Sequence, residues 1–217
     1  MSKPKVIFLS HIIDEDTPLY AGRKSIKLRR VKSIDKGDTC NLMKWAFLNH
    51  TGTHVDAPLH FLNNSLSVTD FKPQSWIFKN VLLVNIPNIT SGYMVTAQDI
   101  KSIANCELLL LRTGFQKYRG RSLYWSDSPA LHPELCDWLI KKSPSLRAVG
   151  IDFISISNLK KRDIGRAAHK RFLGKGIILI EDMDLSRARR SPDRAIVAPL
   201  LVAKADASPC TVLGIYN

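Results

Sequence analysis

The sequence has no apolar run approaching the roughly 20 residues that a membrane helix requires, so nothing in it predicts a helical span. It has no CxxC pair: Cys40, Cys106, Cys136 and Cys210 are widely scattered. That spacing argues against a thiolate zinc cluster or a redox dithiol and predicts free, mostly buried thiols. GxGxxG, Walker and GxSxG patterns are also missing, which removes dinucleotide binding, P-loop chemistry and the serine-hydrolase elbow. The charged start, Met1 to Lys5, leads only into the short apolar stretch 6–10, too short for a secretory signal. A cytoplasmic location is the resulting expectation. Acidic residues are scarce, 19 against 32 lysines and arginines, giving a net charge of +13.

The basic residues concentrate at 23–32, 160–171 and 187–194. Fields of this kind attract anions without reading a sequence. They are interrupted by apolar residues and accompanied by no nucleic-acid motif, so the expectation is a solvated basic surface that steers an anionic substrate, with no nucleic-acid or membrane partner.

A length of 217 residues suits one domain spanning 1–217. Strand-like runs occur at 6–9, 42–48, 81–86, 108–112, 148–151, 176–180, 195–202 and 211–215. Several are continuous and apolar, as in strands covered on both faces. Three helices are expected between them. One starts after the capping-box pattern Thr96-Ala97-Gln98-Asp99, and one runs from Pro133 to Lys142 with Leu135, Trp138 and Leu139 at helical spacing. A third is capped by Asp163, reaches Phe172 and ends at Gly174. Strands outnumber helices, which predicts an α+β domain.

The chemistry concentrates in His50-Thr51-Gly52-Thr53-His54-Val55-Asp56-Ala57-Pro58-Leu59-His60-Phe61. Imidazoles with a carboxylate suit zinc, manganese or iron better than calcium or magnesium. In an extended strand, residues four apart lie about 13 Å apart, too far to share an ion. The backbone must therefore turn at Gly52 or make one helical turn between His50 and His54; the sequence leaves both open. A lone histidine beside apolar residues is usually a hydrogen-bonded core residue. Three histidines and an aspartate packed together without a ligand are costly, so the cluster reads as a metal site.

Residues 50–61 fit every fixed position of H-x-G-T-H-x-D-x-P-x-H-F, and the chain thereby resembles the cyclase family of metal-dependent hydrolases, which includes kynurenine formamidase and isatin hydrolase. Further landmarks are Leu9-Ser10, Thr17-Pro18, Gly22, Arg112-Thr113-Gly114-Phe115, Gly150-Ile151-Asp152, Ile180-Glu181, Pro199-Leu200 and Ser208-Pro209. The resemblance implies a swivelling β/β/α-type fold, a homodimer or homotetramer, and hydrolysis of an amide or cyclic amide by metal-activated water. Arylformamidase activity on N-formylkynurenine is the leading expectation, and isatin hydrolase-like ring opening the alternative. It implies one or two Zn2+ ions, or Mn2+, with His50, His54 and Asp56 as ligands of the first. Asp56 would bridge to a second held by His169 and Glu181, and His60 would act in acid–base catalysis. The family's usual Asp-Gly-Ser-Pro ending, followed two residues on by arginine, is here Asp206-Ala207-Ser208-Pro209 and then Thr211.

Glu181 ends an apolar run, which predicts that it is the first residue to leave the core; Asp182 and Asp184 are its competitors. Tyr20 and Phe61 are expected to contact a flat substrate, while Trp45 and Phe47 suit either that pocket or the core. His11 reads as a packing residue and His132 as a solvated one. The competing class is a non-catalytic basic protein with a structural metal. Such sites are usually closed by four ligands and rich in cysteine, unlike this one.

Overall fold

The structure is a computed structural model that describes residues 4–100 and 102–217. Its strands are β1 (Lys5–Phe8), β2 (Lys27–Lys32), β3 (Leu42–Ala46), β4 (His54–Asp56), β5 (Ile77–Phe78), β6 (Val81–Asn85), β7 (Met94–Val95), β8 (Leu108–Arg112), β9 (Ala130–Leu131), β10 (Ala148–Ile151), β11 (Ile178–Glu181), β12 (Arg194–Pro199) and β13 (Ala207–Tyr216). The helices are α1 (Leu123–Ser126), α2 (Pro133–Lys142) and α3 (Arg162–Gly174). This is the sheet-rich α+β architecture expected.

The main sheet runs β5-β12-β13-β4-β11-β10-β8-β6, with β1 added to β13. Strands β6, β8, β10 and β11 are parallel, and β4, β13, β12 and β5 continue the sheet antiparallel. The terminal strands β5 and β6 are joined by only Lys79 and Asn80, so the sheet curls almost into a barrel.

Leucines of β8 alternate between two cores, as the two-residue strand period requires. Leu109 and Leu111 pack with Leu135, Leu139, Ala168 and Phe172 of α2 and α3. Leu108 and Leu110 pack with Leu9, Val55, Phe78, Val197 and Val212 on the other face. The apolar runs of β8, β10 and β11 are therefore covered on both sides, whereas in β1 Val6 and Phe8 are exposed.

The 42–48 run departs from this pattern. Its β3 pairs with the basic β2 as a separate two-stranded ribbon, and Leu42, Met43 and Trp45 are exposed. The 195–202 run stops at Pro199, leaving Leu200, Leu201 and Val202 exposed. The helix expected after Thr96 is one 3-10 turn, Ala97–Asp99. Its capping box forms, but Ile100 turns extended and enters the core, which ends the helix at once; Lys101 lies outside the described residues. In α3, Asp163 sits in the first turn and pairs with Arg166, while Lys161 takes the cap position. The Gly174 end is as expected.

Candidate metal centre

Between Asn49 and Thr53 the chain turns rather than forming a helix, with Gly52 at φ +62°. That left-handed angle is one L side chains rarely adopt. The turn delivers His50 beside β4, where His54 and Asp56, two apart, point to the same face. Across the antiparallel pair, His54 is in register with Glu181, while Val55 and Ile180 enter the core behind. Glu181 is 3% exposed, so it has not left the core. It stays inside β11 because α3 covers that face and supplies His169.

Asp56 is the hub. Its Oδ1 lies 3.0 Å from His50 Nδ1 and 3.4 Å from His54 Nε2, and its Oδ2 is 3.5 Å from His169 Nε2. Glu181 spans the other side, with Oε2 3.5 Å from His54 Nε2 and Oε1 3.5 Å from His169 Nε2. Two three-donor sets, His50, Asp56 and His60, and His54, Asp56 and Glu181, each bring their ligand atoms within 4.8 Å of one another. The first of these brings His60 within reach of the donor cluster.

Neighbouring groups fix which imidazole nitrogen faces inward. His54 Nδ1 donates to the Gly52 carbonyl at 2.8 Å, and His169 Nδ1 to the Gly165 carbonyl at 2.9 Å, leaving both Nε2 atoms toward the carboxylates. Asp206 Oδ2 accepts from His60 Nδ1 at 2.9 Å and His50 Nε2 at 3.2 Å, while its Oδ1 accepts from Asn49 at 2.6 Å. Glu181 Oε1 accepts from the Ile156 N–H at 2.7 Å and from Ser155 at 3.0 Å.

The buried His54 Nε2, Asp56 Oδ1 and Asp56 Oδ2 have no hydrogen-bond partner among the described residues. Buried polar atoms seldom go unsatisfied, and buried facing carboxylates are costly unless a cation joins them. Ligands bound at about 2.0–2.2 Å to one ion sit roughly 3–3.6 Å apart, the spacing found here. The residues fit a metal ion.

Charge in the cluster is tightly coupled. Burial pushes His50 down, but Asp206 and Asp56 outweigh it and hold the imidazole up to about 10. Burial likewise opposes protonation of His169, which Asp56 and Glu181 hold up to about 9. Desolvation disfavours the charged forms of Asp56 and Glu181, yet the surrounding imidazoles keep both below the ordinary carboxylate range. For His60, burial wins and the pKa is lowered.

The cluster opens into a cavity of about 540 Å³ lined by Tyr20, His50, His54, His60, Phe61, His169 and Glu181 among others. The Phe61 ring stacks on His169 with centroids 4.5 Å apart and meets His60 edge-on, also at 4.5 Å. Trp45 and Phe47 line neither this cavity nor the core: Trp45 is 62% exposed on the ribbon, and Phe47 is only half-buried. Asp182 is committed to Arg119 and Tyr124, and Asp184 to Gln116 and Ser186. His11 packs with its N–H on Thr53 Oγ1, and His132 caps α2 by accepting from the Glu134 N–H. Cys106 and Cys136 are buried, Cys210 is partly so and Cys40 is exposed; all four are free.

Sequence reasoning missed Asp206, Asn49 and Ser155, and also the arginines Arg23, Arg162 and Arg166 at the cavity. Asp206 opened the Asp206-Ala207-Ser208-Pro209 landmark, but nothing local tied it to residue 60, 146 positions away.

This sheet and donor cluster are those of a cyclase-type hydrolase: the Cyclase family model matches residues 7–158, and the chain belongs to that family. It is similar to kynurenine formamidase of Bacillus thuringiensis subsp. konkukian (strain 97-27), with 26% identity over 212 residues covering 96% of both chains. Among solved structures it resembles isatin hydrolase A from Ralstonia solanacearum, with a TM-score of 0.85, 17% identity, and coverage of 99% of this chain and 92% of that one. It also resembles a structure described as a potential metal-dependent hydrolase with cyclase activity, with a TM-score of 0.79, 22% identity and 99% coverage of both. Among the described residues, no helix is long and apolar enough to cross a membrane.

Proposed function

We propose that the chain is a metal-dependent amidohydrolase acting on a carbon–nitrogen bond of an amide or cyclic amide, with an aryl formamide of the kynurenine formamidase type as its leading substrate. The observation that carries this reading is the convergence of the buried His54, Asp56 and Glu181, in which His54 Nε2 and both Asp56 oxygens make no well-formed hydrogen bond among the described residues, beside a cavity that His60 lines. His50, His54 and Asp56 would hold one ion, and His169 and Glu181, with Asp56 shared, a second. The nitrogen and oxygen donors favour Zn2+, with Mn2+ as the alternative. A bound divalent ion supplies a polarised carbonyl and an acidified water.

The protein's own part follows from the hydrogen bonds. His60 donates Nδ1–H to Asp206, so Nε2 carries the lone pair toward the cavity. Burial keeps the imidazole neutral near pH 7, ready to take a proton from water and return it to the leaving nitrogen. Phe61 fixes the ring edge-on and presents a flat apolar wall, and Tyr20 lines the same cavity. Both suit an aromatic substrate.

The exposed apolar residues of the β2–β3 ribbon support assembly as a homodimer or homotetramer, which light scattering would reveal. The test of the activity is elemental analysis of protein purified without chelator, followed by assays on aryl formamides and cyclic amides. Bound transition metal with chelator-sensitive hydrolysis is expected. Metal-loaded protein inert toward every amide would overturn the reading.

A further inference from the structure

His169, Arg166 and Arg162 lie on one face of α3, at spacings of three and four residues. At 1.5 Å rise per residue, Arg166 sits roughly 4.5 Å and Arg162 roughly 10.5 Å along the axis from His169. His169 faces the donor cluster, and both arginines line the same cavity, joined by Arg23 just after the Tyr20–Gly22 turn. Burial raises the Tyr20 phenol, and the charges of Arg162 and Arg166 both act on it in the opposite direction.

The charges lining the cavity differ in how they are engaged. Its carboxylates are committed: the buried Glu181 to Ser155 and Ile156, the buried Asp182 to Arg119, and the partly exposed Asp206 to the two histidines. Its arginines Arg23, Arg162 and Arg166 are exposed. Among the described residues Arg166 pairs only with Asp163, an exposed i,i+3 contact, and exposed pairs of this kind are weak. Arg23 and Arg162 have no carboxylate partner among the described residues. Guanidinium groups match the planar, two-pronged geometry of a carboxylate.

We propose that Arg162 and Arg166, with Arg23, which lines the same cavity, bind a carboxylate carried by the substrate, one to two helical turns from the bond that is cut. The inference rests on the amidohydrolase reading and narrows it to amides bearing an anionic tail, as opposed to uncharged flat rings. It also gives the basic clusters 23–32 and 160–171 a shared local task.

The test pairs binding with turnover. Benzoylpropanoate, an aryl ketone acid without a scissile amide, and its uncharged methyl ester are titrated into the metal-loaded protein. The wild type should favour the acid by about five- to tenfold, from two partly exposed charge pairs. In R162Q/R166Q that ratio should fall toward one, and R162K/R166K should restore part of it. With matched acid and ester formamides, the loss should appear in KM rather than kcat. An acid-to-ester ratio unchanged in R162Q/R166Q would overturn the proposal, because the acid would then be held by the metal alone. Absent turnover with the binding preference intact would instead overturn the amidohydrolase reading and leave the arginine site standing.

Discussion

Asp206 Oδ2 lies 2.9 Å from Nδ1 of His60, close enough to fix both the tautomer and the tilt of that imidazole. The same oxygen takes His50 Nε2 at 3.2 Å, so one carboxylate positions the candidate base and a candidate ligand together. Asp206→Asn keeps the size but removes the charge, and one hydrogen-bond face becomes a donor. Activity should fall about 10- to 100-fold, the range for such supporting residues, with metal content changing less than turnover. Activity at the wild-type level would show that His60 needs no partner.

Removing the imidazole itself tests the two roles the geometry allows His60. It belongs to a three-donor set with His50 and Asp56, yet burial lowers its pKa and so favours the neutral imidazole, the form able to accept a proton. For His60→Ala, turnover should drop by on the order of 10²–10⁴ while the metal stays bound. Loss of one equivalent of metal would reassign His60 from proton transfer to ligation.

Much of this site was legible in the sequence because it is local. Residues 50–61 carry three histidines and an aspartate around a glycine, and the Gly52 turn with the two-residue strand period suffices to gather His50, His54 and Asp56. His169 and Glu181 came from family resemblance; their meeting depends on α3 packing over β11, which spacing alone does not state. Asp206 was missed because its link to residue 60 is made by β13 pairing with β4. Trp45 misled for a related reason: an apolar strand looks the same whether it joins the main sheet or an exposed ribbon.

Protons and metal compete for the same nitrogens. In the metal-free chain His50 is held protonated up to about 10 and His169 up to about 9, against about 6.5 for an unfolded histidine. A raised folded pKa means that this stabilisation is complete below about 6.5 and fades as pH climbs through 9 to 10. Chelator-treated protein should therefore lose melting temperature across that window. Metal binding must displace the protons, so affinity should rise with pH over the same range. His54, also a proposed ligand, is raised as well, so calorimetry at pH 7 in buffers of different ionisation enthalpy should detect about two to three protons released. No release would mean that the ion binds elsewhere.

The approach of α3 to the loop before it offers a test away from the donors. A Cβ on Gly165 would come 2.2 Å from Ser157 Oγ and 3.0 Å from Ser157 Cα, so only glycine lets helix and loop touch here. That loop carries Ser155 and Ile156, which hold Glu181, and the Gly165 carbonyl takes His169 Nδ1. Gly165→Ala must push α3 outward, at a cost of about 1–3 kcal/mol for overpacking. Because His169 rides on α3 and Glu181 on β11, the displacement should separate those two donors and spare His50, His54 and Asp56. The expected result is a lower melting temperature together with a drop in metal stoichiometry toward one ion per chain. A variant that is destabilised but keeps its full metal content would show that the site tolerates helix movement, and that His169 and Glu181 are not held in place by this contact.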